Sequence, residues 1–457
     1  MAKRKPTFVV IGGVAAGMSA ASQIKRRDQR AHVMVFERGH EISYGACGMP
    51  YNIADPAREM DDLVVLTPEQ ARTERGIDLH LDHEVNRLDL AGHVLMVRDN
   101  AGKTERHQEF EALVIATGAR ATRLPLPGFD LPGVTVLRDL ADGRQLKALL
   151  RSQPRRAAII GAGYIGMEMA HVLRERGLEV VVIEKMPQIL PGWHADSVSV
   201  VEDALARNRV EVHTGASVVE AQAGTDGKVA AVVTDAGRHQ ADLVLVATGV
   251  RPNVTLAAAA GLRIGASGAI WVNQYQQTSD PTVWAAGDCS ESYHRVLRKN
   301  TWIPLGTTAN KQGRIAGANA LGANTRFAGI VGTAGFQVFD LEVARSGLTL
   351  DKAREEGFEP VAVTIRQRSR ALAYPGGGPV QVTLIADGPS GLLLGGEVVG
   401  SEGAALRVNI LATALAAHMT VADLQNLDLV YAPPFAPVWD PVLVAANQLA
   451  KTVGRTS

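Results

Sequence analysis

Short apolar runs, each closed by glycine, recur along this chain and predict its architecture. Phe8–Ile11 is a continuous apolar run of the length expected for a strand buried on both faces. It leads into Gly12-Gly-Val-Ala-Ala-Gly17 and an alanine-rich stretch predicted to be a helix, and Val33–Phe36 follows as a second buried strand. The same order returns further on: Ala157–Ile160, then Gly161-Ala-Gly163-Tyr-Ile-Gly166, then a helix through Arg176, then Val180–Glu184. Two matched segments, Leu113–Ala119 and Leu243–Val250, are apolar strands ending in Thr-Gly. From Gly332 the pattern changes to shorter strand-like runs at Val361–Ile365, Val380–Ile385 and Leu392–Val399, with a helical stretch from Ala404 to His418. The pattern predicts an α/β chain of two Rossmann-like units followed by an α+β domain.

Composition narrows the classes of function. With 457 residues the chain holds several domains. Lys+Arg and Asp+Glu both number 47, so no net charge points to nucleic acid or an acidic membrane. Two cysteines cannot build a disulfide framework and suggest a reducing compartment. The basic start, Met1 to Pro6, is followed by an apolar run far too short for a signal-peptide core. No apolar run reaches the ~18–20 residues of a membrane span. A cytoplasmic protein with no membrane or nucleic-acid partner is expected. No His/Cys/carboxylate cluster shows metal-site spacing, so no metal is expected.

The glycine loops carry the first chemistry. Gly12, Gly13 and Gly17 allow a tight turn that aims backbone N–H groups at a pyrophosphate, although Val14 replaces the usual middle glycine. Glu37, with Arg38 beside it, ends the next strand, where a carboxylate can bind ribose hydroxyls. The second loop is complete: Gly161, Gly163 and Gly166, with Tyr164 and Ile165 opening the helix and Glu184 as the ribose acid. A carboxylate there accepts from a free 2′-hydroxyl and repels a 2′-phosphate, which favours NADH; Lys185 next to it leaves NADPH open. Thr117, Gly118 and Gly249 mark the two Thr-Gly strand ends. Thr278–Asp288, with Gly287 and Asp288 at its end, looks like a flavin motif whose aspartate contacts the ribityl chain of FAD.

Together these segments resemble, from end to end, the two-dinucleotide-binding flavoproteins, the pyridine nucleotide–disulfide oxidoreductases. The resemblance implies an FAD domain in two segments (1–123 and 253–326), an NAD(P)H domain (124–252) and a C-terminal interface domain (327–457) that forms a homodimer.

Within that frame Cys47 is the most informative residue. It lies in Ser43-Tyr-Gly-Ala-Cys-Gly-Met-Pro-Tyr51, where a redox cysteine would face the flavin. Pro50 and its apolar neighbours place it at the first turn of a helix, a setting that lowers a thiol pKa. Five residues on, where related enzymes have a second cysteine, stands Asn52. Cys289 directly follows the Gly-Asp of the flavin motif and reads as a packed residue near the cofactor. An oxidised Cys47 must therefore be a sulfenic acid or a mixed disulfide with a small thiol. The segment resembles the single-cysteine branch: coenzyme A–disulfide reductases and NADH-dependent persulfide or polysulfide reductases. Tyr431-Ala-Pro-Pro-Phe-Ala-Pro-Val-Trp-Asp-Pro441 adds to that likeness. The resemblance implies coenzyme A held as a mixed disulfide on Cys47, Tyr431 reaching the partner subunit's active site, and Ser19, Gln23, Arg26 and Ser43 around the coenzyme A chain and phosphates. One departure is Ala373-Tyr374-Pro-Gly, where the family commonly has Tyr-Tyr-Pro-Gly, with Leu372 where a histidine often precedes it. This leaves room for persulfide or polysulfide in place of coenzyme A disulfide. Two other functions fit the same residues: an NADH oxidase cycling a Cys47 sulfenic acid, and an NADH-responsive flavin redox sensor. The first glycine loop holds no histidine of the kind found in NADH peroxidases. No further cysteine-bearing domain is expected after Val430.

Overall fold

The computed structural model describes residues 6–454, so the basic segment 1–5 lies outside the described residues. Each apolar run becomes the strand its pattern predicts. The first parallel sheet runs Val283–Ala285, Ala112–Ile115, Thr7–Ile11, His32–Phe36, Asp78–His80. The second runs Val210–His213, Glu179–Ile183, Arg156–Ile160, Leu243–Val246, Val134–Thr135. Val9, Val10, Leu113 and Ile115 are buried almost completely, as expected for central parallel strands covered on both faces. Each such side chain contributes about 1.5–3 kcal/mol relative to leaving it in water.

The chain leaves the first sheet after Ala112–Ile115, builds the second, and returns to the first with Val283–Ala285. The crossing point is a two-stranded antiparallel pair, Ala119–Ala121 with Val250–Pro252. The returning helix Gly306–Ala320 lies against Ala15–Arg27 at very short range. A Cβ on Gly313 would sit 2.2 Å from the Ala16 carbonyl oxygen, and one on Gly317 2.4 Å from that of Ala20. No other residue permits this crossing.

Each parallel sheet also carries a three-stranded antiparallel sheet that the apolar pattern did not foretell: His83–Asp89, Val94–Asp99 and Thr104–Glu109 in the first unit, and Val218–Ala223, Val229–Thr234 and Gly237–Gln240 in the second. Their strands alternate weakly, because one face is exposed and rich in charge.

The last domain is a five-stranded antiparallel sheet in the order Ala334–Val338, Leu341–Gly347, Leu393–Gly400, Pro379–Asp387, Pro360–Arg368. Helices Ala404–Ala416 and Pro441–Leu449 pack on it and close its core. The first of these stops two residues short of the predicted end, since His418 takes a left-handed φ of 54°. Phe336 meets Tyr164 and Trp193 in an aromatic cluster that seats the domain on the second nucleotide unit. Among the described residues no helix is long and apolar enough to cross a membrane.

Candidate active site

The two glycine loops are near copies in space. Gly12 has φ 104° and a Cβ there would stand 2.2 Å from Ala116 O; Gly161 has φ 103° and would meet Ala247 O at 2.6 Å. Gly17 and Gly166 abut the carbonyls of Gly12 and Gly161. Gly163, the middle glycine, faces nothing within 4 Å. The equivalent position therefore has room for the Val14 side chain, which explains how an imperfect fingerprint still folds correctly.

The acids after each loop also match. Glu37 accepts from the N–H of Gly13 at 2.7 Å and of Gly39 at 2.8 Å. Glu184 accepts from the N–H of Ala162 at 2.7 Å and of Met186 at 2.8 Å. Each carboxylate is thus fixed against its loop, with lone pairs left over for a ribose hydroxyl. Thr117 and Gly118 are clamped by Asn253, whose side chain donates to the Thr117 carbonyl at 2.8 Å while the Thr117 hydroxyl donates to the Asn253 carbonyl at 2.8 Å. Gly249, φ 97°, accepts from the Thr122 N–H at the matching crossing strand. Tyr164 turns into the aromatic cluster with Phe336, and Ile165 is partly exposed.

A cavity of about 1010 Å³ opens beside the first loop, lined by Gly12, Glu37, Arg38, Thr117, Gly118 and Arg138 among others. Asp288 does not stand free at its end: its carboxylate receives a 2.7 Å hydrogen bond from Arg138. Gly287 is held by Gln312 and packs on Ala16. The cavity is at the upper end of the usual ligand range, and its cradle of loop N–H groups with a carboxylate at its rim suits a dinucleotide such as FAD.

Cys47 sits in the exposed turn Ala46–Gly48, just before the helix Met49–Ala54. The expected fall in its pKa is not found. Burial raises it, and the carboxylates of Glu168 and Asp288 raise it further, outweighing Arg138. The six-residue helix after the turn is too short to overcome them.

Asn52 is fully buried and faces away from any disulfide partner. Its side chain donates to the Glu59 carbonyl at 2.7 Å and accepts from Lys147 Nζ at 3.1 Å. The same ammonium donates to the Asn52, Asp55 and Arg58 carbonyls, pinning the Cys47 helix to the helix Leu140–Arg151. Cys289 is also fully buried, with its thiol toward the Ile115 and Ala286 carbonyls.

Sequence reasoning missed two groups here. Tyr51, four residues past Cys47, donates a 2.7 Å hydrogen bond to Glu168 on the helix after the second loop. Burial pushes the Glu168 carboxyl up to about 7, against the Tyr51 hydrogen bond. Glu168 fell inside a stretch read only as helix framework. The second group is basic. A cavity of about 1000 Å³ beside Gly306–Ala320, walled also by residues of the segment 325–333 and of Ala404–Ala416, is lined by Gln23, Arg27, Arg295, Lys311 and Arg314. Ser19 on the same helix donates to Asn310 at 2.8 Å, Arg26 is exposed beside Arg27, and Ser43 is held at φ 48° by backbone bonds to Gly13 and Val65. Tyr431 is about half exposed, in a row of exposed apolar residues that includes Val430, Phe435 and Trp439.

Twin nucleotide loops, a returning flavin-type strand and one exposed thiol define a two-nucleotide redox enzyme. The chain belongs to the pyridine nucleotide–disulphide oxidoreductase family: residues 6–313 match the family's own profile and residues 333–441 that of its dimerisation domain. The family works with FAD and NAD(P)H. The chain is 38% identical over 449 residues to the NAD(P)H coenzyme A polysulfide/persulfide reductase of Pyrococcus horikoshii, covering 97% of this chain and 98% of that protein. It is 35% identical over 445 residues to an NADH oxidase of Methanocaldococcus jannaschii, covering 97% and 98%. Among solved structures, the NAD-dependent persulfide reductase from A. fulgidus matches with a TM-score of 0.94 and 37% identity, over 97% of this chain and 83% of that one.

Proposed function

We propose that this chain is an FAD-dependent, NADH-preferring reductase of coenzyme A disulfide, persulfide or polysulfide, working through Cys47 alone. One observation carries the reading. The position that would hold a resolving cysteine is Asn52, buried and committed to Lys147 and Glu59, while Cys289 is sealed in the core. The sulfur that pairs with Cys47 must come from solution.

FAD bound beside the first loop would relay an electron pair from the pyridine nucleotide to the Cys47 sulfur. Glu184, held by two backbone donors, selects the free ribose of NADH. The Cys47 thiolate attacks one sulfur of the substrate; a new S–S bond to coenzyme A forms and the other sulfur leaves with the bonding pair. Tyr431 of the partner subunit donates a proton to that leaving thiol. Two electrons then cleave the mixed disulfide, returning the Cys47 thiolate and coenzyme A. The Tyr51–Glu168 pair, coupled electrostatically to Cys47, holds a proton in the site near neutral pH. Arg26, with Arg27, Arg295, Lys311 and Arg314 nearby, supplies charge for the phosphates of coenzyme A, with Ser19 and Gln23 on the same helix as Arg26 and Ser43 beside the first loop.

The test is the intact mass of protein purified without reductant, before and after dithiothreitol. A reducible adduct of coenzyme A mass, absent in Cys47→Ser, is expected. Cys47→Ser should also abolish disulfide reduction while FAD stays bound; full activity in that variant would end the mechanism. The likeness to an NADH oxidase favours a second reading, in which Cys47 carries a sulfenic acid. That reading predicts an oxygen-modified Cys47 and rapid NADH turnover with oxygen alone.

A further inference from the structure

Beside the second nucleotide unit the fold assembles a cluster that residue spacing did not reveal. Glu211 and His213 stand two apart on Val210–His213, so both side chains leave the same face of that strand. The strand is the free edge of the second parallel sheet. His239 comes from Gly237–Gln240, the outer strand of the neighbouring antiparallel sheet. The two imidazole rings lie 4.4 Å apart between centroids, inclined at 56°, and Nε2 of His213 is 2.6 Å from Oε1 of Glu211. One ligand atom from each of the three residues falls within 4.8 Å of the other two. Nε2 of His239 is buried without a hydrogen-bond partner. A buried, unpaired ring nitrogen has a cost that a ligand would remove.

We propose that Glu211, His213 and His239 form a binding site for a divalent transition metal of the zinc class. Two imidazoles and one carboxylate are borderline donors that suit zinc and its neighbours; magnesium and calcium prefer oxygen-only shells. Zinc bonds of about 2.0–2.2 Å place tetrahedral ligands about 3.3 Å apart. Glu211 Oε1 and His213 Nε2, at 2.6 Å, open by about 0.7 Å, and the wider separations close by at most about 1.5 Å, distances that χ rotation covers. The fourth position is left to water. Such an ion bridges the edge of one sheet to the edge of another. It also sits next to coenzyme-binding backbone, because the His213 carbonyl accepts from the Glu184 N–H at 2.8 Å.

The experiment uses the untagged flavoprotein in the Cys47→Ser background, which keeps the exposed thiol from taking up metal. Equilibrium dialysis against micromolar free Zn²⁺, read by elemental analysis, should show one zinc per chain. Zinc should raise the thermal midpoint by a few degrees, since a ligand that binds only the folded state stabilises it by mass action. Magnesium and calcium should do neither. Both effects should vanish in His239→Ala and His213→Ala, and in His239→Asn, which keeps a polar side chain should the smaller one disturb the fold. Absence of retained zinc, or the same stoichiometry and thermal rise in these variants, would overturn the proposal.

Discussion

Lys147→Met tests whether a single buried ammonium holds the reactive turn in place. Lys147 is 5% exposed and its Nζ serves four acceptors: the Asn52, Asp55 and Arg58 carbonyls and the Asn52 side-chain oxygen. Methionine keeps the packing of the aliphatic stem and removes the donor. Asp55 and Arg58 are exposed, so water can replace the lost bonds there; the two Asn52 oxygens are sealed. Two buried acceptors left unpaired cost about 2–6 kcal/mol, and release from the cost of burying an ammonium returns part of it. A net loss of about 2–4 kcal/mol in the local stability of Met49–Ala54 is expected. At about 1.36 kcal/mol per tenfold, amide hydrogen exchange in this helix should speed up roughly 30- to 900-fold. Exchange in the strand Pro379–Asp387, which packs in a separate core, should stay slow. Alkylation of Cys47 should lose its defined pH profile as the turn frays. Unchanged exchange at Asn52–Ala54 would refute the argument, and so would uniform acceleration across the chain, which would mean that Lys147 acts on the whole fold.

Two further outcomes follow from groups already described. Glu184→Ser removes the charge proposed to oppose a 2′-phosphate along with two backbone hydrogen bonds, so the NADH over NADPH ratio of kcat/KM should fall at least about tenfold, or about 1.4 kcal/mol; steady-state kinetics with both nucleotides checks it. Asp440→Asn breaks the 2.9 Å pair with Arg407, both side chains being 8% exposed. Arg407 also donates to the Ser369 and Phe435 carbonyls and so joins the Tyr374 loop to the Tyr431 segment. A loss of about 3–5 kcal/mol is the usual result of breaking a buried pair, and it should appear as a lower unfolding midpoint of the C-terminal domain in calorimetry with FAD retained.

Much of the fold was legible because apolar runs bounded by glycine have few ways to pack. Both strand–loop–helix–strand–acid units formed as read, and Glu37 and Glu184 took equivalent places on their loops. The accessory antiparallel sheets were not legible, since His83–Asp89 and Gly237–Gln240 bury too little to leave a period-two signal. At the site, Cys47 stood out by its neighbours in sequence, whereas its environment did not. The carboxylate that raises its pKa is 121 positions away, on Glu168, and the ammonium behind Asn52 is 95 positions from it. Residue types brought together by sheet packing leave no local trace. The same holds for His239, which joins Glu211 and His213 only across two sheets.

Asn52 and the basic cavity answer a single physical problem. In a dithiol enzyme the second sulfur is tethered, so its effective concentration is high and its identity is fixed by the chain. Here the tether is absent, and burial of Asn52 against Lys147 leaves no neighbouring group that could take its place. A soluble thiol must then be both concentrated and chosen by binding. A bare persulfide offers little for a protein to grip. Coenzyme A carries phosphates, and four cationic side chains line a cavity at the end of the helix that begins at the first glycine loop and along Gly306–Ala320. Oxygen would need none of them. Their presence is therefore better matched to a sulfur acceptor carried on coenzyme A than to an oxidase, even though both chemistries would begin from the same Cys47 thiolate.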